Sequence, residues 1–296
     1  MYAIEVAPFD AALGAEVCCG DVRDAGDEAI SRIRQASLDH LVVLIRDQTL
    51  SDAELSTFGK RFGELQLSNP LPSPLANMGK AAQGGRDERY PEVTVVSNVV
   101  ENGVALGGLG DGELVWHTDM SSFAVPPNQT ILHALEVPAS GGRTGFLNMY
   151  QAYGTLAPAL KARVRELRLK HDATIDAAGH VRKQFANDAD IDLRSAPGSV
   201  HPLVRTHPET RRDCLYLGRR ARAHIADLDV TESEDLLDEL WALATQAQFE
   251  WRHDWRVGDL LMWDNRCVMH HREPFDAAAR RHLHRVVIKG TAPVMM

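Results

Sequence analysis

The chain has 296 residues, of which 44% are hydrophobic and 25% charged, and its net charge is −9. This composition is ordinary for a globular protein with a sizeable core, and the negative charge argues against nucleic acid or an anionic membrane as the main partner. Four cysteines without a CxxC pair are no disulfide framework, and there is neither a signal-peptide pattern nor an apolar run long enough to span a membrane. We therefore expect a cytoplasmic protein that binds any anionic substrate through a few placed cations.

The first third of the chain predicts two helices and a buried strand. A helix is expected over 27–39, and the short, branched, apolar run at 41–45 is typical of a buried strand. Ser51 and Glu54 form a capping-box pattern at the start of the second helix. The stretch 66–92 is rich in proline and glycine and has no period, which favours a functional loop.

The middle of the chain predicts strands over 92–100 and 130–137, with a glycine-rich segment at 103–112 between them. The glycines of that segment do not fit GxGxxG, so a dinucleotide site is rejected. A tight turn at 140–145 and a helix over 154–168 follow, and the next thirty residues are polar and irregular.

In the last quarter, the clearest helix covers 231–247, with Thr231 and Glu234 as its capping box. The segments 258–271 and 281–290 are interpreted as two strands joined by a short loop. Together these elements predict a mixed α/β fold built on an antiparallel sheet or barrel.

A histidine and an aspartate stand one residue apart in "LVWHTDMSSF" (114–123). If this stretch is extended, His117 and Asp119 point to the same face and can reach one ion. The pair alone is weak, because such pairs arise often by chance. A second histidine from a distant strand would complete the facial triad of non-haem iron oxygenases.

The chain has thirteen histidines that compete for this role. We interpret His133 as a core residue, and we leave His201 and His207 open. On an extended 258–271 strand, His270 and His271 point to opposite faces, so alternation narrows the choice without making it. The remaining histidines that we weighed lie in polar or helical contexts and are expected to be solvated; they are His40, His180, His224 and His253.

Two arginines share a face of the last strand. Arg281 and Arg285 alternate with His282 and His284, which point the other way. The strand is either an edge strand with solvated charges or an anion clamp, since a guanidinium can hold a carboxylate bidentately.

Four motifs in this order, "WHTD", "GGRTGF", "WDNRCVMHH" and "RRHLHR", resemble the iron(II)- and 2-oxoglutarate-dependent dioxygenases of the taurine dioxygenase family. The N-terminal "LGAEV" and "LSDAELSTFGKRFGEL" are also similar, so the resemblance covers nearly the whole chain. "HPLVRTHPETRR" and "RHDWRVGDLLMWDNRCVMH" look closest to the 2,4-dichlorophenoxyacetate dioxygenase branch.

The resemblance implies a role for each motif residue. His117, Asp119 and His270 would bind Fe(II), and Thr144 and Arg281 would bind 2-oxoglutarate. The substrate-facing residues would be Arg285, which meets the acidic group, and Glu113, which stands where taurine dioxygenase has an asparagine and so argues against taurine. One domain over 1–296 is implied, with a double-stranded β-helix (jelly-roll) core and flanking helices.

The implied activity is hydroxylation of a small organic acid with Fe(II), 2-oxoglutarate and O2, releasing succinate and CO2. An aryloxyalkanoate or a similar aromatic carboxylate is the expected substrate, because Arg285 suits an acid and the branch resemblance points that way. The alternatives are an alkyl sulfonate or sulfate as substrate, or a metal-binding jelly roll without catalysis. The loops at 66–92 and 103–112 are expected to form a lid, and assembly into a homo-oligomer is left open.

Overall fold

The computed structural model describes residues 4–67, 87–182, 185 and 192–295, which fold into a mixed α/β structure with far more strand than helix. The helices are α1 (Asp27–His40), α2 (Asp52–Lys60), α3 (Met149–Thr155), α4 (Pro158–Arg165) and α5 (Val230–Ala244). The strands are β1 (Glu5–Pro8), β2 (Ala15–Cys18), β3 (Val42–Ile45), β4 (Thr94–Ser97), β5 (Val100–Glu101), β6 (Val104–Ala105), β7 (Gly108–Leu109), β8 (Leu114–His117), β9 (Gln129–Glu136), β10 (Thr144–Asn148), β11 (Arg168–Asp172), β12 (Gly198–Pro202), β13 (Val204–Thr206), β14 (Asp213–Leu215), β15 (His224–Ile225), β16 (Glu250–His253), β17 (Leu260–Asp264), β18 (Val268–Arg272) and β19 (His282–Ile288).

Two sheets carry the site. The larger has eight strands in the order β1-β2-β3-β17-β9-β19-β4-β7, and the smaller has four in the order β16-β10-β18-β8. Nearly all of their pairings are antiparallel; the parallel ones join β2 to β3 and β4 to β7. The prediction of a mixed fold on an antiparallel sheet is therefore confirmed.

The large sheet is covered on both faces, and β3 shows why its sequence is apolar throughout. Val42 and Leu44 belong to a core shared with the small sheet, which includes Phe146 of β10. Val43 points the other way, into a second core with Ile33 of α1 and residues of α2. Since successive side chains alternate between the faces, a strand buried on both sides has no polar position.

The local predictions for α1 and α2 are confirmed. The helix expected over 27–39 is α1, and the capping box of α2 is complete: Ser51 Oγ accepts from Glu54 N, and Glu54 Oε2 accepts from Ser51 N at 2.8 Å. These patterns depend only on neighbouring residues. The four cysteines are free, and none of the described helices is both long and apolar enough to cross a membrane.

Three local predictions are wrong. Asp229, not Thr231, caps α5, because its side chain accepts from Glu232 N. The single helix expected over 154–168 is two helices, since Pro158 starts a new one where its missing N–H costs nothing. The strand expected over 258–271 is two strands, β17 and β18, which belong to different sheets.

Candidate active site

The structure brings together the three residues predicted as metal ligands. His117 ends β8 and lies opposite His270 on the paired strand β18, with ring centroids 4.1 Å apart. Asp119 follows β8, and its Oδ1 lies 3.9 Å from His117 Nε2 and 3.8 Å from His270 Nε2. All three side chains are buried, and their ligand atoms lie within reach of a single ion. We call these three residues the triad.

The protonation of the triad histidines suits metal binding. His117 Nδ1 lies 2.7 Å from Val115 O and donates to it, which leaves the lone pair on Nε2, the atom that faces Asp119. Burial, helped by the neighbouring His270, holds the pKa of His117 well below its usual value. Burial likewise lowers the pKa of His270 to about 4. Both rings are therefore neutral at neutral pH, the form that coordinates metals.

A chain of hydrogen bonds orients Asp119. Its Oδ2 accepts from Thr130 Oγ1 at 2.8 Å, and Thr130 Oγ1 accepts from Asn265 Nδ2 at 2.8 Å. Asn265 Oδ1 in turn accepts from Trp263 Nε1 at 2.9 Å. Burial opposes ionisation of Asp119, but His270 and Arg285 outweigh it and lower its pKa to about 2. The carboxylate is charged, with Oδ2 engaged and Oδ1 turned to the histidines.

The sequence analysis missed Thr130 and Asn265 as site residues. The polar interruption in "WDNR" was visible, but its partner Thr130 lies more than 130 residues earlier in the chain. The sheet order places β17 beside β9, and this pairing brings the turn after β17 close to Thr130.

Arg281 and Thr144 both contact one tryptophan, Trp255. The Arg281 guanidinium carbon is 5.8 Å from the Trp255 ring centroid and 6.0 Å from that of Phe275. Trp255 Nε1 donates to Thr144 Oγ1 at 2.9 Å. Arg281 is 2% exposed, and its Nε has no partner among the described residues. Burial, together with the charge of Arg272, lowers the pKa of Arg281 to about 9. A bound anion would therefore stabilise the charged form of this guanidinium.

Arg272 joins β18 to the glycine-rich segment before β8. Its Nη2 donates to Leu109 O at 2.9 Å and also to Gly112 O. The segment predicted as part of a lid is therefore tied down at its second half. The other predicted lid, 66–92, falls largely outside the described residues, and a lid role for either segment stays a prediction.

Arg285 reaches the triad from the large sheet. Its Nη1 lies 3.8 Å from Asp119 Oδ1, and its buried Nε has no partner in the described part of the chain. β19 lies between β9 and β4, so the alternative of an edge strand with solvated charges is wrong. The predicted alternation is confirmed: on the back of β19, His284 Nδ1 lies 2.5 Å from Asp52 Oδ1 and its Nε2 lies 3.0 Å from His282 Nε2.

Two other predicted positions lie outside the triad. Glu113 is exposed at the residue before β8, and a substrate role for it stays a prediction. The His271 ring packs at a tilt against Trp116 with ring centroids 4.1 Å apart, and its Nε2 is 3.4 Å from Glu250 Oε1. The prediction that His271 points away from the metal position is confirmed.

The remaining histidines divide into confirmed and wrong predictions. His133 is a core residue as expected; its Nε2 lies 3.0 Å from Gln48 O, but its buried Nδ1 has no partner among the described residues. His180 is exposed, also as expected. His253 and His224 are buried rather than solvated. His253 Nε2 lies 2.9 Å from Asp259 Oδ2, a partner that the local sequence does not reveal.

A second buried group of potential ligands comprises His207, Asp264 and Cys267, and we call it the closed cluster. His207 Nδ1 accepts from the backbone N–H groups of Glu209 and Thr210, so Nε2 carries the proton and donates to Asp264 Oδ2 at 3.1 Å. Arg266 holds both oxygens of Asp264, with bonds of 2.8 and 2.6 Å. The histidine and the carboxylate of this cluster are thus fully engaged within the protein.

Residues 5–287 match the family model described as Taurine catabolism dioxygenase TauD, TfdA family. The chain belongs to this dioxygenase family. It is 31% identical over 282 residues to the (S)-phenoxypropionate/alpha-ketoglutarate-dioxygenase of Sphingobium herbicidovorans, covering 94% of this chain and 92% of the relative. It is 35% identical over 286 residues to the alpha-ketoglutarate-dependent 2,4-dichlorophenoxyacetate dioxygenase of Cupriavidus pinatubonensis, covering 93% of each.

The crystal structure of AAD-2 in complex with Mn(II) and N-oxalylglycine superposes on this dioxygenase with a TM-score of 0.77 at 27% identity, covering 99% of this chain and 100% of the other. The protein is thus an enzyme that depends on Fe(II), 2-oxoglutarate and O2, and these predicted cofactors are confirmed. The residues fit them, since two neutral imidazoles and a carboxylate are a facial donor set for iron. The alternative of a metal-binding module without catalysis does not fit this family.

Proposed function

We propose that this dioxygenase oxidises an aryloxyalkanoate or a similar aromatic carboxylate. The observation that carries the proposal is the Arg285 guanidinium, which lies 3.8 Å from the metal-facing oxygen of Asp119 and keeps a buried N–H without a partner among the described residues. A guanidinium at this place can hold a carboxylate so that the carbon beside it lies near the metal. The names of the two relatives, which act on phenoxypropionate and 2,4-dichlorophenoxyacetate, support the same class.

In this proposal His117, Asp119 and His270 hold the iron, and Thr144 and Arg281 bind the distal carboxylate of 2-oxoglutarate. Iron and 2-oxoglutarate, when bound, supply the oxidising chemistry. The chain binds and orients the reactants. The buried Arg281 fixes the cosubstrate, Thr130 holds Asp119 so that one oxygen faces the metal, and Arg285 aims the substrate.

The overall reaction balances for an ether-linked acid. An aryloxyacetate, 2-oxoglutarate and O2 give the hydroxylated acid, succinate and CO2, with one oxygen atom entering each organic product. The hydroxylated carbon is a hemiacetal, which collapses to a phenol and glyoxylate. Release of a phenol is therefore the expected observable product.

The finer structural predictions belong with this proposal. The two facing sheets support a double-stranded β-helix core with α1 and α2 on its outer side. A single domain over 1–296 is supported by one family match over 5–287. Assembly into a homo-oligomer stays a prediction.

The test begins with anaerobic addition of Fe(II) and 2-oxoglutarate, which should give a weak visible charge-transfer band. With O2, the enzyme is then offered phenoxyacetate, 2-phenoxypropionate and an alkyl sulfonate, and succinate and phenol are measured. Preference for the sulfonate would replace the proposed class with the alternative one.

Arg285→Gln tests the anion clamp. We expect it to raise KM for the aryloxy acid by about tenfold or more, because a charge-assisted hydrogen bond contributes roughly 1.5–3 kcal/mol, and to leave the charge-transfer band in place. Arg280→Gln is the matched control, since Arg280 is exposed and paired with Glu136 and Glu101. An unchanged KM in Arg285→Gln would show that this arginine does not bind the substrate.

A further inference from the structure

Buried polar atoms without partners among the described residues lie beside His117, a residue of the triad. Both ring nitrogens of His171, on β11, are buried and have no partner among the described residues, and His171 is 2% exposed. The Nε of the partly buried Arg219 is unpaired in the same way. Buried polar atoms are almost always hydrogen-bonded, so unpaired ones next to a substrate site call for a ligand or water.

The backbone fixes this group next to the ligand strand. Arg219 forms a β-bridge with His117, and Thr118 N donates to Gly218 O at 2.9 Å. The His171 ring lies directly on Gly218, since a Cβ there would be 2.0 Å from His171 Nδ1 and 2.7 Å from Ser121 Oγ. His171 is thus placed against the stretch that carries Asp119.

Both side chains are held in place without using all of their donors. Arg219 Nη1 donates to Ile175 O at 2.5 Å, which leaves Nε free among the described contacts. The His171 ring packs against His201 and Tyr216, with both centroid distances 5.2 Å. Burial, with the charges of His201 and Arg219, keeps the pKa of His171 well below its usual value. At neutral pH it is a neutral ring with one donor and one acceptor.

The nearby acids Asp172, Asp176 and Asp119 attract the Arg219 charge, but no ion pair links them to Arg219 in the described structure. Asp172 accepts from the backbone N–H groups of Thr174 and Ile175 and from the Thr174 hydroxyl, so its oxygens are engaged. Arg182 adds a second positive charge near Arg219 and has a buried Nε that is unpaired in the described structure. The wall therefore keeps unpaired polar atoms of His171, Arg219 and Arg182 in the described structure.

We infer that His171 and Arg219 form a second polar subsite of the substrate pocket, which takes a hydrogen-bond-accepting group at the end of the substrate remote from the carboxylate held by Arg285. This inference rests on the proposed function. It narrows the substrate class from aromatic acids in general to aromatic acids with an oxygen-rich second group, such as a ring carboxylate. A purely apolar aryl ring would leave the donors of both residues unpaired, which costs affinity.

The two proposed subsites are carried by different parts of the fold. Arg285 comes from β19 of the large sheet, whereas Arg219 follows β14 and pairs beyond β8, the edge strand of the small sheet. Both charges act on Asp119. A substrate lying across the metal position can therefore meet one cation at each end.

The test measures substrate binding without turnover. Enzyme loaded with Mn(II) and 2-oxoglutarate is titrated by calorimetry, without O2, with phenoxyacetate and with its 3- and 4-carboxy derivatives. We expect at least one carboxy derivative to bind about tenfold or more tightly than phenoxyacetate, because a hydrogen bond to a charged group contributes that much. Equal or weaker binding of both derivatives overturns the inference even if no variant can be purified.

Arg219→Gln and His171→Phe then ask whether these residues cause the preference. Each should reduce the ratio of the dissociation constant of phenoxyacetate to that of the tighter carboxy derivative. Arg220→Gln is the control, because Arg220 is a neighbouring residue paired with Glu234 and Asp238, and it should leave this ratio unchanged. A ratio that survives in Arg219→Gln and His171→Phe assigns the preference elsewhere and overturns the subsite. If the enzyme with Fe(II), 2-oxoglutarate and O2 releases no phenol from phenoxyacetate or its carboxy derivatives, the proposed function itself fails; phenol release without the binding preference refutes the subsite alone.

Discussion

The triad and the closed cluster are built from the same kinds of side chain, yet only the triad can receive a metal. Both hold an aspartate and a histidine in the core, with potential ligand atoms within 4.8 Å of one another. In the closed cluster, Arg266 and His207 occupy the carboxylate of Asp264, and backbone N–H groups occupy the other histidine nitrogen. In the triad, Asp119 Oδ1 and the Nε2 atoms of the histidines face one another without such bonds in the described structure. What distinguishes the triad is therefore that its ligand atoms are left without bonds to other protein groups in the described structure.

The largest contrast should come from removing one histidine of each group. His270→Ala is expected to abolish the charge-transfer band and to lower turnover by about a thousandfold or more, because the iron loses a direct ligand. His207→Gln should keep the band in folded protein. Anaerobic absorption spectra and succinate assays measure both, and a persistent band in His270→Ala would remove His270 from the metal site.

Replacing the aspartate of each group should affect stability, and here the closed cluster should show the larger loss. Asp264→Asn is expected to lower the free energy of unfolding by about 3–5 kcal/mol, because the buried Arg266 loses its bidentate carboxylate and keeps only the half-exposed Glu209. Asp119→Asn in metal-free protein should lower it by less than Asp264→Asn does, since Asp119 Oδ1 accepts no hydrogen bond in the described structure and its nearest arginine, Arg285, lies 3.8 Å away. Urea unfolding compares the two variants, and equal losses would contradict the distinction between closed and open groups.

The loss in Asp264→Asn should also depend on pH. Burial disfavours the charged form, but Arg266 and His207 outweigh it and depress the pKa of Asp264 in the folded protein. The carboxylate therefore contributes its stability above the unfolded pKa of about 3.9, and this contribution is lost as the pH falls towards the folded value. The gap between wild type and Asp264→Asn should be constant from pH 5 to 8 and narrow below about pH 4.

Arg281 should behave as an open cation, in contrast to the fully paired Arg266. Arg281→Gln is expected to weaken binding of 2-oxoglutarate by roughly 2–3 kcal/mol, or about 30- to 150-fold, because the distal carboxylate loses its buried partner. Calorimetry on the Mn(II) enzyme measures the dissociation constant. The neighbouring Arg280→Gln serves as control, and a normal constant in Arg281→Gln would place the cosubstrate elsewhere.

The smallest of these effects concerns the orientation of Asp119. Thr130→Val keeps the shape of the side chain but removes the hydroxyl that donates to Oδ2, and iron binding should weaken by about 10- to 100-fold. Thr130→Ser should restore most of the affinity. If Thr130→Val binds Fe(II) as tightly as wild type, the hydrogen-bond chain does not position the ligand.

The sequence predicted the parts of the structure that depend on near neighbours or on alternation within one strand. The capping box at Ser51 and the opposite facing of His270 and His271 are such cases. The choice of His270 itself came from the family resemblance, because alternation left both histidines open. The structure places His270 beside Asp119.

The wrong predictions depend on contacts between residues that are not near neighbours, or on the turn between β17 and β18. The break between β17 and β18 falls at Asn265–Cys267, flanked by apolar residues that mimic one long strand. His253 was expected to be solvated because its partner Asp259 lies beyond a turn. Thr130 could not be linked to Asp119 before the sheet order was known, since the bond depends on how β9 lies beside the ligand loop.

The histidines on the back of β19 have a consequence for how new specificities arise in this scaffold. Asp52 at the start of α2 contacts His284, and His284 contacts His282, both at hydrogen-bond distance. These contacts hold β19 on the face opposite to Arg281 and Arg285. The contacts that hold β19 in place on this face do not involve Arg281 or Arg285. If Arg285 binds the substrate acid as proposed, its replacement should change the substrate preference while the contacts among His282, His284 and Asp52 hold β19 in place.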